Sequence, residues 1–235
     1  MRLKVIILII LCLLCISSNL FAKVYPQAGF ETYIGSNSLF LFTPWVGLRL
    51  GLSNNASLIF KYYNHNIRYN YLNDEDVETK RVAHLSNFTV VLYAQKGGHD
   101  FYSALSYFLG TDSYRALALD AGTGLRISDR ITVEAGIYLL NENSILWYPD
   151  EDVRNIFLYS AKGGVKFKVN KWLSINSKIY LYKNSEDVKA SSYSIGLVLT
   201  PKDPFYITLF YFKYSESARY QFSGDYISIG LNYYY

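Results

Sequence analysis

Apolar and polar residues alternate with a period of two along most of the chain after residue 22. In the segment 115–128, Leu117 and Leu125 fall on one face, while Asp120 and Arg126 fall on the other. Successive side chains of a β-strand point to opposite faces, so this pattern predicts strands with one apolar and one polar surface.

The alternating segments are about ten to fifteen residues long, whereas strands of soluble sheets are usually about five or six. The sequence predicts strands over 26–35, 44–53, 56–72, 79–95, 100–110, 115–128, 131–142, 153–169, 172–184, 189–200, 205–214 and 219–235. Ten strands instead of twelve is the alternative, because 26–35 and 79–95 follow the pattern least closely.

One predicted strand contains an irregularity. In 56–72 the apolar positions change parity, from Leu58 and Phe60 to Ile67 and Tyr69. A β-bulge shifts side-chain parity by one residue, so a bulge is expected in this strand.

The connections alternate between short turns and polar links that are mostly longer. This arrangement is typical of a transmembrane barrel, which has short turns at one rim, longer loops at the other and apolar residues facing lipid. We therefore predict an all-β fold, a closed antiparallel transmembrane β-barrel of twelve strands with both termini at the periplasmic rim. A soluble β-sandwich or lipocalin-like barrel is the alternative. The longer links fall at 36–43, 73–78, 111–114, 143–152, 185–188 and 215–218.

The first 22 residues have the layout of a secretory signal peptide. A basic start is followed by an unbroken apolar run over 5–16 and by Leu20-Phe21-Ala22, a plausible cleavage site. We predict a signal peptide over 1–22, cleaved after Ala22, and a single transmembrane β-barrel domain over 23–235. An uncleaved membrane anchor is the alternative, but the apolar run is shorter than the ~18 residues that a spanning helix needs.

Cleavage would also remove the two cysteines of the chain, Cys12 and Cys15. The mature protein would then have no disulfide, no cysteine-ligated zinc and no cysteine nucleophile. A lipoprotein signal is disfavoured, because both cysteines follow leucine rather than a small residue.

Composition agrees with a membrane barrel. Charged residues make up 18% of the chain and the formal net charge is +4, which excludes a disordered chain and gives no support for nucleic-acid binding. Tyrosines cluster near strand ends, where we expect them to sit at the two membrane–water interfaces. The clusters contain Tyr62, Tyr63, Tyr69, Tyr71, Tyr180, Tyr182, Tyr211, Tyr214, Tyr233, Tyr234 and Tyr235.

The C-terminal segment carries a family resemblance. Ile227, Ile229, Leu231 and Tyr233 share one face, and the chain ends on the aromatic Tyr235. This resembles the last strand of bacterial outer-membrane β-barrel proteins, although the usual final residue there is Phe. The resemblance implies a bacterial outer-membrane location, contact with outer-membrane lipid and lipopolysaccharide, and recognition of the strand ending at Tyr235 by the barrel-assembly machinery.

The polar strand faces supply candidate pore-lining residues. Counted from the short turns, one group lies low, near the periplasmic rim, and a second group lies at mid-height. The low group is Arg49, Arg126, Glu134 and Lys166, and the mid-height group is Asp120, Lys162 and Lys178.

Turn positions predict how these charges meet. Pairing of Ile127 with Ile131 brings Arg126 diagonal to Glu134, close enough for a salt bridge. Lys162, Lys166 and Lys178 are expected to form a basic wall without an acid of their own.

The leading functional hypothesis is a small channel for passive passage of small solutes, favouring anions. The alternative for these charges is that they pair with Asp120, Glu134 and water and simply stabilise a polar interior. Inward glycines at 122, 124, 136 and 164 are expected to be covered by a large ring such as Tyr138 or Tyr180, and space left for a solute is the alternative.

Two other functions stay open. The first is a closed barrel with a structural, adhesive or assembly role through its outer loops. Among these, 143–152 carries Leu146, Trp147 and Tyr148, for which packing on the rim is expected and a plug in the mouth or a contact with a partner is the alternative. The second is a lipid hydrolase that would use His65 or His84 with a serine such as Ser86. Neither a cofactor nor a tight metal site is predicted.

Overall fold

The computed structural model describes residues 23–72, 77–146, 153–202, 204–217 and 223–234. These residues form twelve β-strands and two short 3-10 turns, at Thr111–Ser113 and Ser144–Leu146. The strands are β1 (Val24–Gly35), β2 (Leu39–Ser53), β3 (Ala56–Leu72), β4 (Glu78–Lys96), β5 (His99–Gly110), β6 (Arg115–Arg126), β7 (Ile131–Asn143), β8 (Asn155–Lys168), β9 (Leu173–Asn184), β10 (Lys189–Lys202), β11 (Phe205–Glu216) and β12 (Gly224–Tyr234).

Each strand pairs antiparallel with its neighbours in sequence, and β1 closes the ring by pairing with β12 from Gln27↔Tyr234 to Gly35↔Tyr226. The twelve-strand prediction is confirmed, and the ten-strand alternative is wrong. The two segments that followed the pattern least closely form β1 and β4, both fully paired with their neighbours.

The two rims differ as the sequence predicted. The short-turn rim carries the connections at 54–55, 97–98, 127–130 and 169–172 together with Lys23 and Tyr234, and the opposite rim is the long-loop rim. Gly97 and Gly98 have φ of 57° and 84° and separate the paired residues Lys96 and His99. Two consecutive positive φ angles are the geometry of a two-residue hairpin turn, which glycine adopts without strain.

One long-loop link is shorter than predicted. The sequence assigned 36–43 to a loop, but β2 begins at Leu39 and pairs there with Gly35. Residues 39–43 were missed because Leu39 and Leu41 face inward while Phe40 and Phe42 face outward, so both faces are apolar and the period of two is hidden.

A continuous apolar belt covers the outside of the barrel. The outward positions of neighbouring strands align across the ladders, as in the row Leu197, Leu209 and Ile229. Large apolar side chains exposed around a whole barrel indicate a surface that lipid, not water, covers. Within the described residues, no helix is long and apolar enough to cross a membrane.

The expected β-bulge in β3 is wrong. β3 pairs with β4 in one unbroken register from Ala56↔Ala94 to Leu72↔Glu78. The change of apolar parity has another cause: above Tyr62 the outward positions of β3 are polar, whereas the inward positions are apolar. On β3 the apolar belt therefore ends at Tyr62, whereas Phe40 and Phe42 of β2 continue it at the same height.

The inward apolar residues of this upper region form a cluster at the long-loop rim, which we call the inner apolar cluster. It packs side chains of β3, β4 and the start of β6 against the 3-10 turn that follows β7. Its buried members are Ile67, Tyr69, Ala83, Leu85, Tyr114, Ala116 and Leu146.

The predicted signal peptide over 1–22 and the final residue Tyr235 lie outside the described residues. Cleavage after Ala22 therefore remains a prediction, as does recognition of the C-terminal strand by assembly machinery.

The depth of the belt can be tested with arginine substitutions. Leu209 lies midway along the outward face of β11, and Leu52 lies at the short-turn end of β2. Leu209→Arg should lower the free energy of unfolding by about 2–4 kcal/mol, whereas Leu52→Arg should cost ~1 kcal/mol or less, because the penalty for Arg falls towards the interface. Urea unfolding in phospholipid vesicles measures both, and equal losses would contradict this placement of the belt.

Candidate functional site

All seven candidate pore-lining residues lie on the inward face of the barrel. Each occupies the parity opposite to the exposed apolar belt of its own strand. They are contributed by β2 (Arg49), β6 (Asp120 and Arg126), β7 (Glu134), β8 (Lys162 and Lys166) and β9 (Lys178).

The first charge pair of the lumen joins β6 to β8. The Lys162 ammonium contacts the Asp120 carboxylate, and the same ammonium lies 4.8 Å from the centroid of the Tyr102 ring. The lysine side chain is 12% exposed, so Lys162 is held between an acid and an aromatic face rather than pointing freely into the lumen.

The second charge pair joins β7 to β9. The Lys178 Nζ lies 3.4 Å from Glu134 Oε2, and each of the two side chains is 39% exposed. Both side chains are therefore open to the lumen rather than packed away from it.

The predicted charge pattern therefore needs two corrections. Lys162 and Lys178 do have acidic partners, so the unpaired basic wall is wrong for them, and Glu134 is paired with Lys178 rather than with Arg126. The alternative, in which these charges pair with Asp120 and Glu134, is confirmed for Lys162 and Lys178. Cross-strand pairing did not indicate which acid each lysine meets, because each pair reaches over an intervening strand.

Each lysine can cross to its acid because the strand between them carries a glycine at the crossing point. Strands two apart in a sheet are separated by ~9.5 Å, so the lysine must cross above the middle strand. Gly136 on β7 pairs with Lys162, and a Cβ there would lie 2.7 Å from Lys162 Cε. Gly164 on β8 sits between Glu134 and Lys178, and a Cβ there would lie 3.1 Å from Lys178 Cγ.

The inward glycines are thus covered, but not by the rings that the sequence suggested. Lysine stems cross Gly136 and Gly164, while the ring over Gly122 belongs to Tyr102 rather than to Tyr138 or Tyr180. A Cβ on Gly122 would lie 2.8 Å from Tyr102 Cε1.

Basic side chains gather at the short-turn end of the lumen, in a group that we call the basic vestibule: Arg49, Arg126, Lys166 and Lys168. All four are exposed, and within the described residues none forms an ion pair with an acid. Arg49 and Arg126 both act electrostatically on the hydroxyl of Tyr93, which donates a hydrogen bond to Asp100 at 3.0 Å. Asp100 is the nearby acid that sequence analysis missed.

A second missed residue is Lys61, on the wall opposite the two ion pairs. Its Nζ lies 4.5 Å from the ring centroid of Trp45 and 5.4 Å from that of Tyr234. Trp45 is buried, and its Nε1 donates to Asn232 Oδ1 at 3.1 Å. The alternation of Lys61 with outward-facing Phe60 and Tyr62 was a usable signal for its inward position.

Most of the clustered tyrosines also line the lumen, so their predicted place at the membrane interfaces is wrong. Tyr180 and Tyr182 stack at 5.9 Å, and Tyr182 meets Tyr214 edge-on at 6.4 Å. A narrow barrel needs large side chains to fill its interior, and tyrosine does so while keeping a polar tip. The inward members are Tyr63, Tyr69, Tyr71, Tyr180, Tyr182, Tyr214 and Tyr234, whereas Tyr62, Tyr211 and Tyr233 keep the outward position.

The chain after β7 folds into the mouth of the barrel at the long-loop rim. Leu146 is 1% exposed inside the inner apolar cluster, its carbonyl oxygen accepts a hydrogen bond from the Tyr69 hydroxyl, and the Ile145 carbonyl accepts one from Arg81. This part of the predicted 143–152 loop therefore acts as a partial plug, and the rest of that loop, 147–152, lies outside the described residues.

The histidines are not arranged as a catalytic pair. His65 faces the lumen and hydrogen bonds to Thr43 at 3.0 Å, whereas His84 faces outward and hydrogen bonds to Asn66 at 2.9 Å. The Ser86 hydroxyl is engaged with Tyr62 at 3.1 Å. The described residues also contain no cluster of three or more His, Cys, Asp or Glu side chains that would hold a metal ion.

Two adjacent glycines test the crossing geometry. A Cβ on Gly164 would lie 2.9 Å from the Ser177 carbonyl oxygen, whereas a Cβ on outward-facing Gly163 would have its nearest neighbour at 3.8 Å. Gly164→Ala should destabilise the barrel by about 1–3 kcal/mol, and Gly163→Ala should change stability by less than ~0.5 kcal/mol. Urea unfolding compares the two variants, and equal stability would show that Lys178 does not need the glycine.

No family model and no curated protein sequence matches this chain. Solved structures do match it in fold. The COG4313 outer membrane channel from Pseudomonas putida F1 superposes with a TM-score of 0.67 at 8% identity, over 91% of this chain and 96% of that chain. The translocator domain of the autotransporter NalP from Neisseria meningitidis gives 0.64 at 12% identity, over 93% and 92%.

The KdgM porin superposes with a TM-score of 0.59 at 9% identity, over 88% of this chain and 98% of that chain. At such low identities the likeness establishes a common fold and no common activity. With its closed ring of twelve antiparallel strands and its apolar outer belt, the chain has the architecture of the bacterial outer-membrane β-barrel proteins.

Proposed function

We propose that this protein is a narrow channel for the passive passage of small solutes across the bacterial outer membrane, with a preference for anions. The observation that carries the proposal is the solvent exposure of the Glu134–Lys178 pair inside the lumen, 39% for each side chain. A barrel whose interior served only as packing would bury such a pair.

The anion preference rests on the basic vestibule. Asp120 and Glu134 offset Lys162 and Lys178, so the paired region contributes little net charge. Arg49, Arg126 and Lys166 remain exposed at the short-turn end, which we assign to the periplasmic side, and rings of basic side chains favour anions in pores. A KdgM porin structure contains oligogalacturonate, a polyanion, which agrees with anion passage through a barrel of this fold.

A second candidate function is a closed barrel that acts through its outer loops. The inner apolar cluster favours it, because Leu146 and its neighbours fill the β3–β6 side of the mouth. In the channel hypothesis this cluster narrows the mouth, whereas in the closed-barrel hypothesis it is part of a complete seal.

Planar-bilayer conductance of the refolded protein tests the selectivity. Lys166→Glu and Arg126→Glu each change the charge of the basic vestibule by two units. For a monovalent ion about 8 Å away in water, this changes the interaction energy by ~1 kcal/mol before salt screening. We expect the anion-to-cation permeability ratio to fall by about twofold or more. Lys213→Glu is the matched control, because Lys213 is exposed on the outward face of β11, and its ratio should equal that of the parent.

Failure of a correctly folded barrel to conduct at any voltage would contradict the channel. Conductance with an unchanged permeability ratio in both vestibule variants would keep the channel but remove the role of the vestibule. Lys162→Glu is a poorer test, since it would place a second carboxylate against Asp120 and disturb the fold.

The partial plug gives a separate prediction. Leu146→Ala removes most of the side chain that fills the inner apolar cluster, a kind of change that costs ~2–5 kcal/mol of local packing. The loosened segment should raise the single-channel conductance or the open fraction. Val153→Ala, at an exposed position just before β8, is the control and should behave as the parent. If neither the parent nor the Leu146→Ala variant conducts, the result favours the closed-barrel function.

A further inference from the structure

A cavity of about 310 Å³ opens inside the long-loop rim, next to the inner apolar cluster, against which its lining residues Leu39 and Leu140 also pack. We call it the mouth cavity. Its lining comes from β2, from β7 to β12 and from the β9–β10 turn, and it is mostly aliphatic and tyrosine side chains. Two carboxylates, Glu142 and Glu216, interrupt this apolar lining, and no Lys or Arg is among the described residues that line it.

Glu216 is the unusual member. Its residue is 6% exposed, and its Oε2 accepts a hydrogen bond from the Tyr214 hydroxyl at 3.1 Å. Its Oε1 is buried and has no hydrogen-bond partner among the described residues. Glu216 was predicted to lie in the link 215–218, but it is the last residue of β11, and its backbone N–H donates to Ser223 Oγ at 2.9 Å.

Burying a carboxylate oxygen without a hydrogen-bond partner costs free energy, because the charge is removed from water and not paired. A bound cation would offset this cost. Glu142 is a second acid at the same cavity. It is also buried, and its Oε2 accepts a hydrogen bond from the Tyr114 hydroxyl, so a second negative charge is fixed at the same cavity.

The lining restricts the class of cation. Calcium needs about six to eight oxygen ligands, which two carboxylates in an apolar wall do not supply. Tyrosine faces attract ammonium groups, and Tyr182, Tyr214 and Tyr226 all line the cavity. The aliphatic side chains, such as Leu140 and Leu158, would cover a hydrocarbon body.

We propose that the mouth cavity is a binding site for a small organic ammonium ion with an apolar body, whose cationic nitrogen pairs with Glu216. This goes beyond the proposed channel function and does not depend on it, because a barrel that never conducts would present the same site. It also assigns opposite charge preferences to the two ends of the lumen.

Binding to the refolded full barrel in lipid nanodiscs tests the site, with phenethylamine as probe and empty nanodiscs as blank. Ligand-observed NMR titration should show saturable binding of phenethylamine and at least tenfold weaker binding of the neutral analogue 2-phenylethanol. Glu216→Gln should weaken phenethylamine binding at least tenfold. Glu78→Gln removes an acid from the outward face of β4 and should leave binding unchanged.

Heat-modifiable migration in gels checks that each variant is folded. If Glu216→Gln does not fold, Ala190→Phe serves instead, since it fills the cavity from β10 while keeping both acids and should abolish binding. Three results would each overturn the site: no saturable binding to the parent, equal binding of the alcohol, or full binding by a folded Glu216→Gln or Ala190→Phe barrel. Conductance is not part of this readout, so failure of the site and failure of the channel are distinguished.

Discussion

Closure of the β1–β12 ladder is the constraint on which the rest of the structure depends. Inside a bilayer an unpaired backbone N–H or C=O has no water to bond, so a sheet survives there only if it has no edge. Pairing from Gln27 to Gly35 against β12 removes the last edge. Once the sheet is a ring, one side-chain parity faces lipid and the other faces the lumen, and the chemistry of every strand follows from that division.

The lumen of such a ring is narrow, and the observed interior shows two ways of filling it. On one wall, lysines cross glycine to reach acids two strands away, which places paired charges in the lumen without crowding. On the other wall, Trp45 and its neighbouring rings surround Lys61. Both arrangements leave charged groups inside a membrane protein, where they are satisfied by partners, by aromatic faces or by water.

The two ends of the lumen then acquire different character. The short-turn end is basic and exposed, whereas the long-loop end holds an apolar plug and, beside it, an acidic, tyrosine-lined cavity. A solute crossing the barrel would meet these environments in turn. This asymmetry is the physical basis of both the proposed anion preference and the proposed cation site at the mouth.

The period-two pattern predicted most of the fold but only part of the candidate site. Strand number, order, and the inward position of Asp120, Glu134, Lys162 and Lys178 all follow from parity. Pairing with Asp120 and Glu134 was only the alternative, and which lysine meets which acid did not follow, because a lysine that spans two strands joins residues whose proximity depends on an intervening glycine. The tyrosines were misplaced because rings that fill a lumen and rings at a membrane interface have the same sequence signature.

By itself, the sequence determined the period of two, the length of the strands and therefore a closed barrel with an apolar exterior, since these are local properties of the chain under a lipid constraint. The tertiary structure alone decided which charges pair, where β3 leaves the lipid belt, how Leu146 enters the mouth and why Glu216 is buried with a free oxygen. These features depend on distances between residues far apart in the chain, and such distances are set only when the ring closes.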